Sequence, residues 1–244
     1  LVVSPGIPLT HPQPHPVISM AKRLGLEVLG DIELFAKSVS KDRLVGITGT
    51  NGKATVTALL GHIMSTCGIN VQVGGNFGKP VLSLQAFEDP GTFVIERSSY
   101  QLDLVKTTSF DIAVWINLTP DHLDRHGGIN GYIAAKKKIF ERQNSGCTAI
   151  IGVDDPVSSH VASELMAVNV QNVVQISSRA PVQGGVYATR GRLYDNLQGH
   201  NVLVTDFKDT PRLLGQHNWQ NAAAAYAVAR LSGLEVAPIA AALH

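Results

Sequence analysis

Residues 44–55 read Leu-Val-Gly-Ile-Thr-Gly-Thr-Asn-Gly-Lys-Ala-Thr: an apolar strand, a glycine-rich turn and a lysine at the mouth of a helix. Glycines lack Cβ, so consecutive backbone N–H groups can turn inward, and a following helix adds its positive N-terminal end. Lys53 brings a mobile charge for terminal phosphates. Val56, Leu59, Leu60, Ile63, Met64 and Cys67 recur at helical spacing before Gly68, which supports the helix. The stretch therefore reads as a phosphate cradle built from Gly49, Thr50, Asn51, Gly52 and Lys53, with an ordinary strand-to-helix turn as the competing reading.

Two positions depart from the strict phosphate-loop pattern. Ile47 stands where a glycine is usual, and Ala54 stands where a hydroxyl normally holds Mg²⁺. Thr55 is one residue on and about 100° around the helix, so it substitutes only if the helix start rotates or a water intervenes.

From residue 41 to about 152, apolar runs at 44–48, 71–73, 92–96, 112–117 and 148–151 alternate with helical patterns. Continuously apolar runs suit a parallel sheet covered on both faces, which defines an α/β fold with a phosphate-loop-type, mostly parallel sheet. Before it, 1–3 and 26–29 read as strands, 17–24 as a short helix and 31–36 as a helical turn, with a proline-rich loop at 10–16 whose histidines read as solvated. After it, short runs at 173–176, 185–188, 192–194 and 202–204 read as a small antiparallel appendage, followed by an alanine-rich helix over 222–231.

In parallel sheets ligands sit beyond the carboxyl ends of the strands, and polar residues gather there. Asn76 lies in a flexible Gly74-Gly75-Asn76-Phe77-Gly78 turn and offers both a donor and an acceptor. Glu96 ends a buried run; it suits a Mg²⁺ ligand or a helix-start or ion-pairing role. The densest polar cluster is Asn117-Leu118-Thr119-Pro120-Asp121-His122-Leu123-Asp124-Arg125-His126. His122 and His126 have the spacing of a zinc pair, but Leu123 occupies the place of a zinc protease's glutamate; Asp121 or His122 fits a hard cation, a substrate or a plain turn. Lys136, Lys137 and Lys138 fan around a helix, so one can face inward while its neighbours are solvated. Asn218 and Asn221 either cap a helix or read an adenine edge.

A formal net charge of +1 supplies no field for nucleic acid or an anionic membrane, so an anionic ligand must be bound locally. No run approaches the roughly 18 apolar residues of a membrane span. Cys67 and Cys147 lack CxxC partners, which points to a reducing compartment and a cytoplasmic protein. The chain opens on Leu1 and closes inside an apparent helix at His244, so it reads as a fragment.

Taken in order and spacing, Thr48 to Lys53, Glu96, residues 117–122, Lys136 and residues 215–221 resemble the central domain of the Mur ligases, ATP-dependent amide ligases of bacterial cell-wall synthesis. Ser4-Pro5-Gly6-Ile7-Pro8, Gly30-Asp31-Ile32-Glu33-Leu34-Phe35, the Asn76 turn and Ser98-Ser99-Tyr100-Gln101-Leu102 are similar to the branch that adds D-glutamate. The resemblance implies three domains: residues 1–38 as the end of a UDP-substrate-binding Rossmann-like domain, 39–244 as the ATP-binding centre, and an amino-acid-binding domain absent here. It implies that ATP phosphorylates the carboxylate of UDP-N-acetylmuramoyl-L-alanine and that D-glutamate attacks the acyl phosphate. Lys53 would hold phosphates. Glu96, His122, Thr55 and Lys136, carbamylated by CO₂, would hold two Mg²⁺ ions. Asn76, Ser98 and His122 would meet the UDP-sugar, and Asn218 and Asn221 the adenine. A bacterial cytoplasmic monomer without nucleic-acid partners is implied.

Against the family pattern, Ala54 replaces Ser or Thr and Arg97 replaces an apolar residue, so impaired ATP turnover is expected. Arg97 either pairs with Glu96 or is turned away by strand alternation. The alternatives are a non-catalytic nucleotide-binding module, a folylpolyglutamate synthase-like ligase, which shares the loop and a modified lysine, and a generic phosphate kinase.

Overall fold

Strand alternation divides the core into two layers. Along β1 (Arg43–Thr48), Val45 and Ile47 join one buried cluster while Leu44 joins the other. Along β4 (Ile112–Trp115), Val114 follows the first set, and Ala113 and Trp115 the second. A sheet apolar on both faces must be covered on both, and helices do this.

The computed structural model describes residues 1–39, 41–210 and 213–244. The remaining strands are β2 (Val71–Gly75), β3 (Thr92–Glu96), β5 (Thr148–Gly152), β6 (Asn172–Ser177), β7 (Val186–Thr189), β8 (Arg192–Asp195) and β9 (Val202–Asp206). They form one nine-stranded sheet in the order β2-β3-β1-β4-β5-β6-β7-β8-β9. Pairings from β2 through β7 are parallel, and β7-β8 and β8-β9 are antiparallel. The expected antiparallel appendage is the far end of the main sheet, where β8 and β9 extend the parallel part. β6, which the sequence pattern grouped with them, is parallel to both neighbours.

The helices are α1 (Pro16–Arg23), α2 (Asp31–Ser38), α3 (Lys53–Thr66), α4 (Ser99–Leu102), α5 (Leu123–His126), α6 (Ile129–Lys137), α7 (Pro156–Val168), α8 (Gln216–Leu231) and α9 (Val236–Ala242). α3, α8 and α9 cover one face. Ala222 to Ala225 of α8 are fully buried, and their small side chains let this helix lie close to the sheet. α2, α6 and α7 cover the other face, where Phe35 meets Phe93 edge-on with ring centroids 4.9 Å apart.

Two expected strands reduce to a single parallel bridge, Val2 with Leu29. Pro5, which has no N–H, turns the chain directly after one run, and α2 begins at Asp31 directly after the other. Of the expected 10–16 loop, residues 10–15 are irregular and Pro16 already opens α1, with the His15 ring accepting from the Val17 N–H at 3.2 Å as its cap. β4 ends at Trp115; one more bond to β1, from the Ile116 N–H to the Thr48 carbonyl at 3.0 Å, follows before the chain leaves the sheet.

Candidate active site

The mouth of α3 lies at the carboxyl end of β1. Gly52 caps the helix in the left-handed region, with φ of 84° and no side-chain cap bond, so the first N–H groups of α3 have no intrahelical acceptor. A Cβ at Gly52 would also lie 2.2 Å from the Asn221 Oδ1, so conformation and space both require glycine. The Thr50 N–H donates to the Asn117 carbonyl and the Asn51 N–H to the Asn117 Oδ1, each at 3.0 Å. The Thr50 and Asn51 amides are thus engaged within the protein, while those of the helix mouth are open to an anion. There Ala54 is half-buried, and Thr55, one step round, is exposed.

Lys53 folds back on its own loop, donating to the Gly49 and Thr50 carbonyls at 3.1 and 2.8 Å. Burial lowers its pKa against the opposing pull of Glu96 and Asp121. Of the three adjacent lysines, Lys136 is the inward one. It is 1% exposed, with its amine 2.7 Å from the Gly49 carbonyl, 3.3 Å from the Thr48 hydroxyl and 4.9 Å above the Tyr132 ring. Burial, and then the charge of Lys53, lowers its pKa to about 7. Lys137 and Lys138 pair with Glu164 and Asp103, both at 2.7 Å.

Glu96 ends β3 and is 3% exposed. Its Oε1 accepts from the Asn76 amide at 3.0 Å, while its buried Oε2 has no partner. Arg97 is turned to the opposite face of the sheet. It is fully buried, its guanidinium carbon is 5.3 Å from the centre of the Phe110 ring, and none of its side-chain nitrogens has a hydrogen-bond partner. Of the two options for Arg97, alternation wins over pairing with Glu96.

Asp121 and His122 sit together, 3.4 Å apart and roughly half exposed. His122 adopts the left-handed region with φ of 50°, uncommon for a residue with a Cβ, and its ring lies 5.2 Å from that of Tyr100. His126 does not join it in a zinc pair. It is buried, bonded to the Ser99 hydroxyl at 2.9 Å and facing Asp103 at 3.3 Å. Among the described residues no three His, Cys, Asp or Glu converge on a metal position. Ser98 caps α4: its hydroxyl accepts from the Gln101 N–H, and its own N–H donates to the Gln101 Oε1.

Asn218 and Asn221 open α8 beside the loop; the Asn218 amide donates to the Leu214 carbonyl at 3.0 Å. Sequence reasoning missed several supports. Tyr132 meets the Thr50 hydroxyl at 3.2 Å, and the Asp155 carboxylate receives the Leu118 N–H at 3.0 Å. Asp154 and Gln220 are tied to Asn117. The one available signal was Asp154-Asp155-Pro156 directly after a strand, a sequence that suits a helix cap.

Sheet, loop and uncapped helix define an α/β domain of the phosphate-loop class. Residues 47–229 match the model of the Mur ligase middle domain, and the chain belongs to the Mur ligase family. It is 49% identical over 240 residues to a UDP-N-acetylmuramoylalanine--D-glutamate ligase of Caulobacter sp. (strain K31), covering 96% of this chain and 51% of that one. It is 48% identical over 235 residues to the ligase of that name from Rhodospirillum rubrum, covering 96% and 49%. The chain therefore spans about half the length of the curated relatives it matches. A UDP-N-acetylmuramate:L-alanyl-gamma-D-glutamyl-meso-diaminopimelate ligase from Neisseria meningitides superposes with a TM-score of 0.66 at 19% identity, over 93% of this chain and 73% of that one, a likeness of fold.

Proposed function

We propose that this chain carries the ATP-binding centre of a ligase that joins D-glutamate to UDP-N-acetylmuramoyl-L-alanine through an acyl phosphate. The observation that carries this reading is the Glu96 Oε2, a buried carboxylate oxygen with no partner, on a residue whose charge is felt by Lys53 at the mouth of the uncapped helix. An orphaned oxygen of this kind fits a divalent cation beside a phosphate chain.

In this reading the α3 amides and Lys53 receive the ATP phosphates, and Asn218 and Asn221 lie at the base. Glu96, oriented by Asn76, would hold one Mg²⁺; His122 and a carbamylated Lys136 would hold a second, with Thr55 contributing if the helix start rotates. Bound magnesium supplies charge neutralisation for the transferred phosphoryl group. Lys136 suits carbamylation because a neutral amine must add to CO₂, and its pKa lies near 7. The neutral nitrogen bonds to the CO₂ carbon, one C=O π pair moves onto oxygen, and the nitrogen releases a proton to solvent; counted from the ammonium, two protons leave and a cation becomes an anionic ligand.

Asn76 and His122, both exposed, face the UDP-sugar, and Ser98 serves by holding the turn after Glu96 through its cap. Residues 1–38 complete a UDP-binding domain, 39–244 form the ATP-binding centre, and the relatives' further length provides the amino-acid-binding domain. The whole enzyme acts as a cytoplasmic monomer; among the described residues no helix is long and apolar enough to cross a membrane.

Calorimetric titration of Mg-ATP into this chain tests the reading. Binding that is lost in Lys53→Ala, with a ¹³C carbamate signal that is lost in Lys136→Arg, supports it. Failure of the chain to bind Mg-ATP would overturn it.

A further inference from the structure

Besides Lys136 and Tyr132, a line of amides reaches the phosphate loop from α8. Thr50 and Asn51 both donate their N–H groups to Asn117, one to its carbonyl and one to its Oδ1. Asn117 presents that oxygen to the loop while its Nδ2 points the other way, donating to the Gln220 Oε1 at 3.2 Å. Gln220 donates in turn from its Nε2 to the Asp154 Oδ2 at 3.0 Å.

Asp154 sets the direction of the whole line. Its Oδ1 accepts the Ser177 hydroxyl at 2.6 Å, and its Oδ2 accepts the N–H and hydroxyl of Ser178 at 2.8 and 2.7 Å. An ionised carboxylate only accepts. Gln220 must therefore turn its NH₂ toward Asp154 and its oxygen toward Asn117, and Asn117 must do the same one step nearer the loop. Reversing either amide would set donor against donor. Gln220 is 6% exposed, so water offers little substitute, and Gly152 leaves it room: a Cβ there would lie 2.9 Å from the Gln220 Nε2.

We propose that Gln220 is a positioning residue for the phosphate loop. Through Asn117 it keeps the Thr50 and Asn51 amides turned away from the helix mouth, so that the α3 amides alone face the phosphate chain. Gln220 stands on α8 between Asn218 and Asn221, so one helix serves both the base side and, indirectly, the phosphate side. The inference rests on reading the loop as a phosphate site, but the loop geometry is measurable without any nucleotide.

The test uses Gln220→Met, which keeps length and removes both bonds, and Gln220→Asn, which stays polar but is too short to reach both partners. Amide hydrogen exchange is read at Thr50 and Asn51 without nucleotide, with Val94 and Ile150 in the sheet as controls. Calorimetry follows Mg-triphosphate and adenosine. In either folded variant, exchange at Thr50 and Asn51 rises about tenfold with the sheet controls unchanged, the scale of one lost hydrogen bond. Triphosphate affinity falls about three- to tenfold on the same scale, while adenosine affinity holds. Unchanged exchange at Thr50 and Asn51, or an equal rise at Val94 and Ile150, overturns the role of Gln220. A wild-type chain that binds no triphosphate counts instead against the phosphate reading of the loop.

Discussion

Lys53 and Lys136 donate to one acceptor, the carbonyl oxygen of Gly49, at 3.1 and 2.7 Å. Two ammonium groups crowded on one oxygen inside the protein disfavour each other's charge, and Lys136, the more buried, has its pKa lowered from 10.5 to about 7 by desolvation and then by Lys53. Below pH 7 both folded and unfolded chains carry this proton, and the burial penalty is present in full. Between pH 7 and 10.5 the unfolded chain binds the extra proton, so stability from this group rises with pH, by up to about 1.4 kcal/mol per unit. Urea unfolding at pH 7, 8 and 9 should show that rise, and Lys136→Met should flatten it. Parallel curves for the two proteins would contradict the neutral-amine assignment.

Glu33 has the opposite linkage. Its carboxylate is buried at the start of α2 and accepts from the N–H groups of Lys106, Thr107 and Thr108 and from the Thr107 and Thr108 hydroxyls. Burial alone would raise its pKa, but these donors outweigh it and hold the carboxyl at about 2, down from 4.5. The stabilisation is complete above pH 4.5 and is lost as pH falls through 2. Glu33→Gln should cost on the order of 2 kcal/mol at pH 7, after discounting for solvent screening. Acid titration monitored by circular dichroism should show the two proteins converging near pH 2.

Arg97 is a charge without a hydrogen-bond partner in a dry layer. Desolvation drives its pKa from 12.5 down to about 9, against the opposing pull of Asp31 and Glu33. Breaking a buried pair is costly, but replacing a poorly satisfied buried charge by an apolar side chain often stabilises. Arg97→Leu should therefore gain on the order of 2 kcal/mol and raise the melting temperature by about 5 °C. Because Arg97 faces away from Glu96, Mg-ATP affinity should not change. A tighter complex in the leucine variant would mean that the guanidinium competes for the Glu96 carboxylate after all.

Arg97 also shows how far local signals reach. Most strands of the parallel sheet and the loop-to-helix turn after β1 were legible because unbroken apolar runs and the Gly49-Thr50-Asn51-Gly52-Lys53 turn are contiguous in the chain. Alternation also indicates that Arg97 and Glu96 take opposite faces. It does not say that Phe110 would lie under the guanidinium, since that depends on β1 standing beside β3 and β4. The relay through Gln220 was invisible for the same reason: Asn117 and Asp154 are 103 and 66 residues away from it. β6 was misgrouped because Asn172 and Gln175 interrupt its apolar run, so its pattern resembles that of the antiparallel strands beyond it.

Ala54 bears most directly on nucleotide binding. It is the second residue of α3, half-buried at the mouth, and the next hydroxyl, on Thr55, is exposed one step around the helix. A serine at 54 would restore one oxygen to the cation or phosphate without altering the Gly52 cap, and one hydrogen bond or ligand of this kind contributes about 0.5 to 1.5 kcal/mol. Ala54→Ser should therefore bind Mg-ATP about three- to tenfold more tightly, with the gain shrinking when magnesium is removed by chelation. Ala54→Val, which adds bulk without an oxygen, should show no gain. Equal affinities for the serine variant and the parent chain would mean that the α3 amides and Lys53 suffice and that this copy is not impaired at its organising loop.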